Sequence, residues 1–331
     1  MLTTERHRLL LLLMVIVVSV SMNAQSLSYT MVELNCENLF DCEHDSLKQD
    51  EDFLPSGIMR WSHARYWKKV NNIAREILSC GESEGGYAIP DLVALCEVEN
   101  DTVLRDLTQR SLLRNAKYEY IVTHSPDLRG IDVALLYSPF SFGYIDSRPI
   151  RVEPLKDMRP TRDILYVKGR TSTDDTLHVF VVHAPSRYGG EYETRANRVH
   201  VVSRLAESVD SVRFLSPRAK IIIAGDFNDY STDKSIKILT SNGFVHVSDD
   251  AKGVNGAEGT YKYQGKWRSI DHVFLSRSLL PNFRECFIAD REFLLCKDED
   301  YGGIQPRRNL KGVKWQNGFS DHLPLVVRFY F

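Results

Sequence analysis

The run Ile221-Ile222-Ile223-Ala224 passes directly into Gly225-Asp226-Phe227-Asn228, a change from wholly apolar to polar within one residue. An apolar run without alternation describes a strand covered on both faces, so the chain must supply layers above and below it. Gly225 ends the run and lets another backbone come close. Asp226 and Asn228 are two apart, so in extended chain their side chains leave on the same side. A carboxylate and a carboxamide then stand together at the end of an apolar strand.

The same pattern occurs twice more. Leu92-Val93-Ala94-Leu95-Cys96 ends in Glu97-Val98-Glu99-Asn100, and the strand-like run 177–182 ends at His183-Ala184-Pro185-Ser186. Further strands are expected at 28–35, 118–123, 131–137, 163–170, 243–248, 270–276 and 323–331. Helical spacing of Tyr66, Val70, Ile73 and Ile77 after Ser62 predicts a helix to Cys80. Asn100 or Asp101 can cap another that runs to about Arg110. Val199, Val202, Leu205, Val209 and Val212 place one face of a long helix at 190–212, and a shorter helix falls at 231–241. Residues 302–318 read as a loop holding Gly, Arg and Lys. No repeat or linker interrupts the series, so the polar strand ends are expected on one rim of one domain.

The formal net charge is −2 over 331 residues, which excludes a global field that would gather nucleic acid or anionic lipid; polyanion binding would have to be local. Arg6, His7 and Arg8 lead into the apolar run Leu9 to Val20, and a short polar stretch reaches Ala24. That is the pattern of a secretory signal, short for a membrane span. The expected mature chain is 25–331, exported to the periplasm or the extracellular space, soluble and monomeric. Of the six cysteines, Cys36 and Cys96 fall in or beside core strands and no Cys-x-x-Cys pair exists. Thiolate zinc chemistry is therefore not expected, and mostly free thiols are, with room for one bridge.

Asn35, Glu97, His183, Asp226, Asn228, Asp271, Asp321 and His322 all lie at or near strand ends. Oxygen donors dominate the set and thiolates are missing from it. That mixture suits a hard divalent ion, Mg²⁺ first, with Mn²⁺ or Ca²⁺ as alternatives. Such an ion among carboxylates and histidines is the equipment for phosphoester hydrolysis.

Six blocks occur in order: Glu33-Leu34-Asn35, Leu95-Cys96-Glu97, Val182-His183-Ala184-Pro185, Gly225-Asp226-Phe227-Asn228, Ser269-Ile270-Asp271-His272 and Ser320-Asp321-His322. Together they resemble the endonuclease/exonuclease/phosphatase superfamily, the fold of pancreatic deoxyribonuclease. The segment Arg129 to Tyr137 resembles an exported bacterial branch of it. The resemblance implies an α/β fold, a four-layer α/β/β/α sandwich of two mostly antiparallel sheets with helices on both outer faces. It implies Glu97 as principal metal ligand, helped by Asn35 and Asp321. Asp226 would position or deprotonate the attacking water, and Asn228 would orient it or hold the phosphate. His322 would contact the phosphate or act as base, with Asp271 fixing its tautomer, and His183 would bind a phosphate oxygen or serve the leaving group.

The expected activity is that of an exported, metal-dependent phosphoesterase, in the first instance a nuclease on DNA or RNA. The alternative is a phosphatase or phosphodiesterase acting on a phospholipid head group, an inositol phosphate or another small phosphoester. A catalytically silent binding protein on the same fold is a third reading. Guanidinium groups suit phosphate, so Arg162, Arg187 and Arg307 are candidates for holding substrate, with Arg195 and Arg308 nearby. Glu37 and Asp132 lie close to these motifs and equally suit turns.

Overall fold

The computed structural model describes residues 28–83 and 86–331; the expected signal segment, 1–24, lies outside them. The first part of the chain supplies strands β1 (Ser28–Leu39), β2 (Leu92–Val98), β3 (Glu119–Val122) and β4 (Asp132–Tyr137). The middle supplies β5 (Phe142–Ile150), β6 (Ile164–Thr171), β7 (Thr176–His183), β8 (Lys220–Asp226), β9 (Val245–His246) and β10 (Asp271–Leu275). The last part returns as β11 (Phe283–Ile288) and β12 (Leu325–Tyr330). These make two six-stranded sheets, ordered β11-β12-β1-β2-β4-β3 and β9-β10-β8-β7-β6-β5.

In each sheet only the central pair is parallel, β1 with β2 and β7 with β8. The other pairs are antiparallel. This mixture decides where the polar residues go. Parallel neighbours finish at the same edge, and an antiparallel neighbour starts there. Asn35 stands opposite Cys96, the residue before Glu97. Asp226 stands opposite both His183 and Asp271. Leu325, the start of β12, pairs with Glu33, which brings the preceding His322 to the same rim.

Three apolar layers hold the sandwich. Met31, Ala94 and Val133 from one sheet meet Val167, Val181 and Ile222 from the other in the central core. Helix α1 (His63–Ser79) covers the outer face of the first sheet with Tyr66, Val70, Ile73 and Ile77. The short α2 (Asp101–Arg105) adds Val103 and Leu104 to that layer. Helices α3 (Glu191–Leu215) and α4 (Lys234–Ser241) cover the second sheet with Val202, Leu205, Val209, Ile236 and Leu239. Each fully buried aliphatic side chain here contributes about 1.5–3 kcal/mol. Ser62 caps α1 by accepting from the Arg65 N–H, and Asn100 caps α2 by accepting from Val103.

Gly225 does what its position suggested. Its φ is +146°, and a Cβ there would meet the Val182 carbonyl oxygen at 1.9 Å. Any side chain would push β8 from β7 and carry Asp226 away from His183.

Several elements depart from the expected boundaries. β1 runs on to Leu39 through an irregular pairing after Asn35. The 243–248 strand shrinks to two residues. β5 was not expected, because it is an edge strand whose interior is mostly exposed and whose sequence has no apolar alternation. The expected loop 302–318 holds the hairpin Leu310–Lys311/Lys314–Trp315 and the strand Ile304–Pro306, which pairs with Leu295–Lys297; β11 and the hairpin Tyr261–Tyr263/Lys266–Arg268 lie where the sequence carries no strand signal. All six cysteines are free thiols. Among the described residues no helix is long and apolar enough to cross a membrane.

Candidate active site

The rim of the sandwich carries a cleft of about 490 Å³. Glu97, His183, Asp226, Asn228, Asp321 and His322 line it, joined by Arg129 and Arg187. Asn35 and Asp271 lie just beneath, buried and bonded to the lining residues.

Asn35, at the end of the first sheet's central pair, donates from Nδ2 to Asp226 Oδ2 on the second sheet at 3.0 Å. Its Oδ1 accepts from the Glu37 N–H at 2.9 Å, which fixes the amide orientation. Asp226 also accepts from the Asn228 N–H at 2.8 Å and from Asn228 Nδ2 at 3.2 Å. That same Nδ2 donates to the Ala184 carbonyl at 3.1 Å, and among the described residues nothing donates to the Asn228 side-chain oxygen. Burial raises the Asp226 carboxyl above the usual range; Asp271 adds to the shift and His322 opposes it. A divalent cation would relieve that crowding of negative charge.

His322 and Asp271 form a second unit. His322 Nδ1 meets both Asp271 oxygens, at 3.0 and 2.8 Å. Thr260 donates its hydroxyl to Asp271 Oδ2. Nδ1–H is therefore committed to Asp271, and Nε2 is the nitrogen available to the cleft. Burial works against the imidazolium, but Asp271, with Asp321 and Asp226 behind it, outweighs burial and holds the ring well above its usual range. His183 is the opposite case. Burial, reinforced by Arg162 and Arg129, pushes it well below the usual range, so it is neutral. Its Nε2 lies 3.6 Å from Asp226 Oδ2 and 3.9 Å from Glu97 Oε1.

The backbone is strained at this rim. Glu37, Asn38, Glu97 and Asn228 all have φ between +48° and +59°. Non-glycine residues take this region at a cost and do so most often where function holds them. At Glu97 the carboxylate repays part of that cost by accepting from the Asn38 N–H at 2.9 Å.

Oxygen donors fit a hard cation here. Ligand atoms of Asp226, Asp271 and His322 lie within 4.8 Å of one another, and Glu97 faces the same cleft. Asp321 sits at the margin, paired with Arg308 at 2.9 Å and 4.0 Å from His322 Nε2.

The arginines divide differently from expectation. Arg162 is buried, its guanidinium bound to Asp127 at 3.1 Å and to the Ala184 carbonyl at 2.7 Å. It braces the carbonyl that holds Asn228 and is absent from the cleft lining. Arg307 points to the Leu295 carbonyl, and its neighbour Arg308 stands at the site instead. Arg187 does line the cleft, with Glu191, Asp229 and Asp233 around it. Arg195 pairs with Glu191. Arg129 is 3.7 Å from Glu97 and bonds Asn38. Glu37 accepts from the Asn309 and Leu310 N–H groups, and Asp132 from Thr123 and Ser125; both fasten loops.

Glu33 opens the first of the six motifs, yet it is 1% exposed, and neither carboxyl oxygen has a hydrogen-bond partner among the described residues. Burial, with Asp271 and Asp226 nearby, pushes it well above the carboxylate range, so it sits under the site as a neutral acid. No sequence signal separates it from an ordinary outward-facing strand glutamate. Thr260 and the tyrosines Tyr188, Tyr230, Tyr261 and Tyr263 are likewise visible only once the loops are in place.

A sequence model of the endonuclease/exonuclease/phosphatase family matches residues 30–330, and the chain belongs to that family. Among solved structures, one of a family protein from Bacteroides thetaiotaomicron is 18% identical, with TM-score 0.61, over 93% of this chain and 99% of that one. A mannosyl-6-phosphatase from the same organism is 15% identical, with TM-score 0.60, over 92% and 100%. The human Nocturnin catalytic domain is 17% identical, with TM-score 0.56, over 92% and 96%. These likenesses establish the shared fold. No curated protein matches the chain.

Proposed function

We propose that this member of the endonuclease/exonuclease/phosphatase family is an exported, divalent-metal-dependent phosphoesterase that acts on small phosphoesters. The observation that carries the reading is the meeting of Asn35, Glu97, Asp226, His183 and the His322–Asp271 pair at one cleft, from both sheets. Glu97, with Asn35 and Asp321 beside it, would hold the ion, Mg²⁺ first. When bound, the ion supplies positive charge against phosphate oxygens and acidity to water.

The chain's own residues divide the remaining work. Asp226, held by three donated hydrogen bonds, presents a fixed acceptor that orients the attacking water and takes its proton. The uncommitted oxygen of Asn228 keeps that water in line. His322, charged and locked by Asp271, offers Nε2–H to the phosphate as charge develops there. Neutral His183 donates to a phosphate oxygen or serves the leaving group.

Small phosphoesters are favoured over long nucleic acid because the cleft's cations are already compensated. Arg187 faces three carboxylates and Arg129 faces Glu97, while Arg308, outside the lining, is paired with Asp321. Tracking a polyanion takes a groove of available positive charge. The mannosyl-6-phosphatase among the structural neighbours supports the small-substrate reading. The charged lead, apolar run and Ala24 support export of the mature chain.

The deciding experiment is a panel. Purified mature protein with Mg²⁺, and with chelator as control, is offered sugar phosphates, mononucleotides, inositol phosphates, sphingomyelin, plasmid DNA and RNA. Metal-dependent turnover of the small phosphoesters supports the reading. Cleavage of DNA or RNA with the small esters untouched would replace it with the nuclease reading.

A further inference from the structure

Four of the cleft-lining side chains are tyrosines, Tyr188, Tyr230, Tyr261 and Tyr263, and two of them form a row that begins at His322. Tyr261 packs against His322 with ring centroids 4.9 Å apart, and its backbone bridges that of His322. Tyr263 stacks on Tyr261 at 6.5 Å with their planes 12° apart. Exposure rises along the row, from 6% at His322 through a half-buried Tyr261 to 59% at Tyr263. Tyr188, from the loop after β7, is 92% exposed. Tyr230, from the loop after β8, lies under the Arg187 guanidinium at 4.1 Å.

Exposed tyrosines leading down to a reacting group present flat faces and hydroxyls, which suits a ring bearing hydroxyl groups. Charge narrows the choice further. Both arginines of the lining already have a carboxylate near them, Arg129 with Glu97 and Arg187 with Glu191. Once the scissile phosphate is placed, no lining cation is left for a second anionic group.

We propose that Tyr263, Tyr261 and Tyr188 form a platform for the organic part of the substrate, an uncharged hydroxylated ring such as a sugar or a nucleoside joined to one phosphate. The proposal rests on the phosphoesterase reading of the same cleft. Tyr263 and Tyr188 are the positions to test, since both are exposed and Tyr261 is packed on His322.

Two measurements separate the platform from the chemistry. The first compares kcat and KM for glucose 6-phosphate, thymidine 5′-monophosphate and glycerol 2-phosphate in the full protein with Mg²⁺. The ring esters should exceed the acyclic ester about tenfold in kcat/KM, as expected for one stacking contact. That preference should disappear, through KM, in the double variant Tyr188→Ala/Tyr263→Ala and persist in Tyr263→Phe. Which ring ester leads tells sugar from nucleoside. The second measures binding of phenylphosphonate against methylphosphonate, which needs no turnover. Phenylphosphonate should bind about tenfold more tightly, and the gap should close in the double alanine variant.

An equal rate on glycerol 2-phosphate, or a binding gap that survives in the double variant, overturns the platform. Turnover of all three esters alike removes the platform and keeps the phosphoesterase. Tyrosine-dependent phenylphosphonate binding without turnover of any ester keeps the platform and removes the phosphoesterase.

Discussion

The Asn35 carboxamide donates to the Asp226 carboxylate at 3.0 Å, across the junction of two sheets that are otherwise joined there by apolar packing. The two residues are 191 positions apart in sequence. Asn35 ends the regular register of one parallel strand pair and Asp226 ends the other, so the bond ties the sheets together at the point where both deliver polar groups.

Breaking that tie should cost both stability and activity. Asn35→Ala leaves Asp226 short of one donor in a buried setting, a loss of about 1–3 kcal/mol. Urea denaturation should show a lower midpoint with an unchanged slope. The kcat/KM for a chromogenic phosphoester should fall by more than the lost stability accounts for, because Asp226 is no longer fixed.

Asp271 acts through His322, and the sign of its effect follows from the charge. The carboxylate raises the histidine above its usual range, so the imidazolium persists through neutral pH and is lost only as pH rises through that raised value. In Asp271→Asn the ring loses its proton at lower pH. Histidine ring resonances in NMR should show the downward move. The alkaline limb of the pH–rate profile should shift the same way, with kcat lower by on the order of 10²–10⁴.

Glu76 of α1 offers a pH test away from the chemistry. It is fully buried, neither carboxyl oxygen has a hydrogen-bond partner among the described residues, and burial pushes it up to about 8 despite Lys69. A raised carboxyl keeps its proton when folded and releases it when unfolded. Its contribution is complete below the unfolded value, about 4.3. It is then lost progressively as pH rises toward 8. Glu76→Gln should flatten the fall in stability over that window, measured by denaturant midpoints from pH 5 to pH 9.

Metal dependence should follow Glu97. Chelator should abolish turnover and added Mg²⁺ restore it. Glu97→Gln keeps an acceptor for Asn38 but removes the negative charge shared by the two carboxylate oxygens, so half-maximal activity should need at least about tenfold more Mg²⁺. An unchanged requirement would move the principal ligand elsewhere.

How much of this was visible in the chain can be judged residue by residue. Ile221 to Asp226 and Leu92 to Glu97 announced themselves, because strands covered on both faces must be apolar throughout and cannot hide a polar ending. Gly225 was readable for the same reason. β5 was hidden because an edge strand buries little and needs no pattern. Glu33 was hidden because a buried carboxylic acid is spelled like a solvated one. The arginines misled: Arg162 and Arg307 looked free in sequence, but carbonyls and a carboxylate claim them, whereas Arg129 reaches the cleft and Arg308 pairs with the cleft residue Asp321. The tyrosine row depends on a three-residue strand folding its hairpin over His322, which periodicity does not reveal.

The most direct test of the central claim, one cation-assisted site built from both sheets, is the turnover of a chromogenic phosphoester by Asp226→Asn with saturating Mg²⁺. The substitution keeps the shape and removes the carboxylate that takes the water's proton, so the account predicts a kcat lower by about 10³ or more, read at a temperature where circular dichroism shows the variant folded. Undiminished turnover in that variant would contradict it.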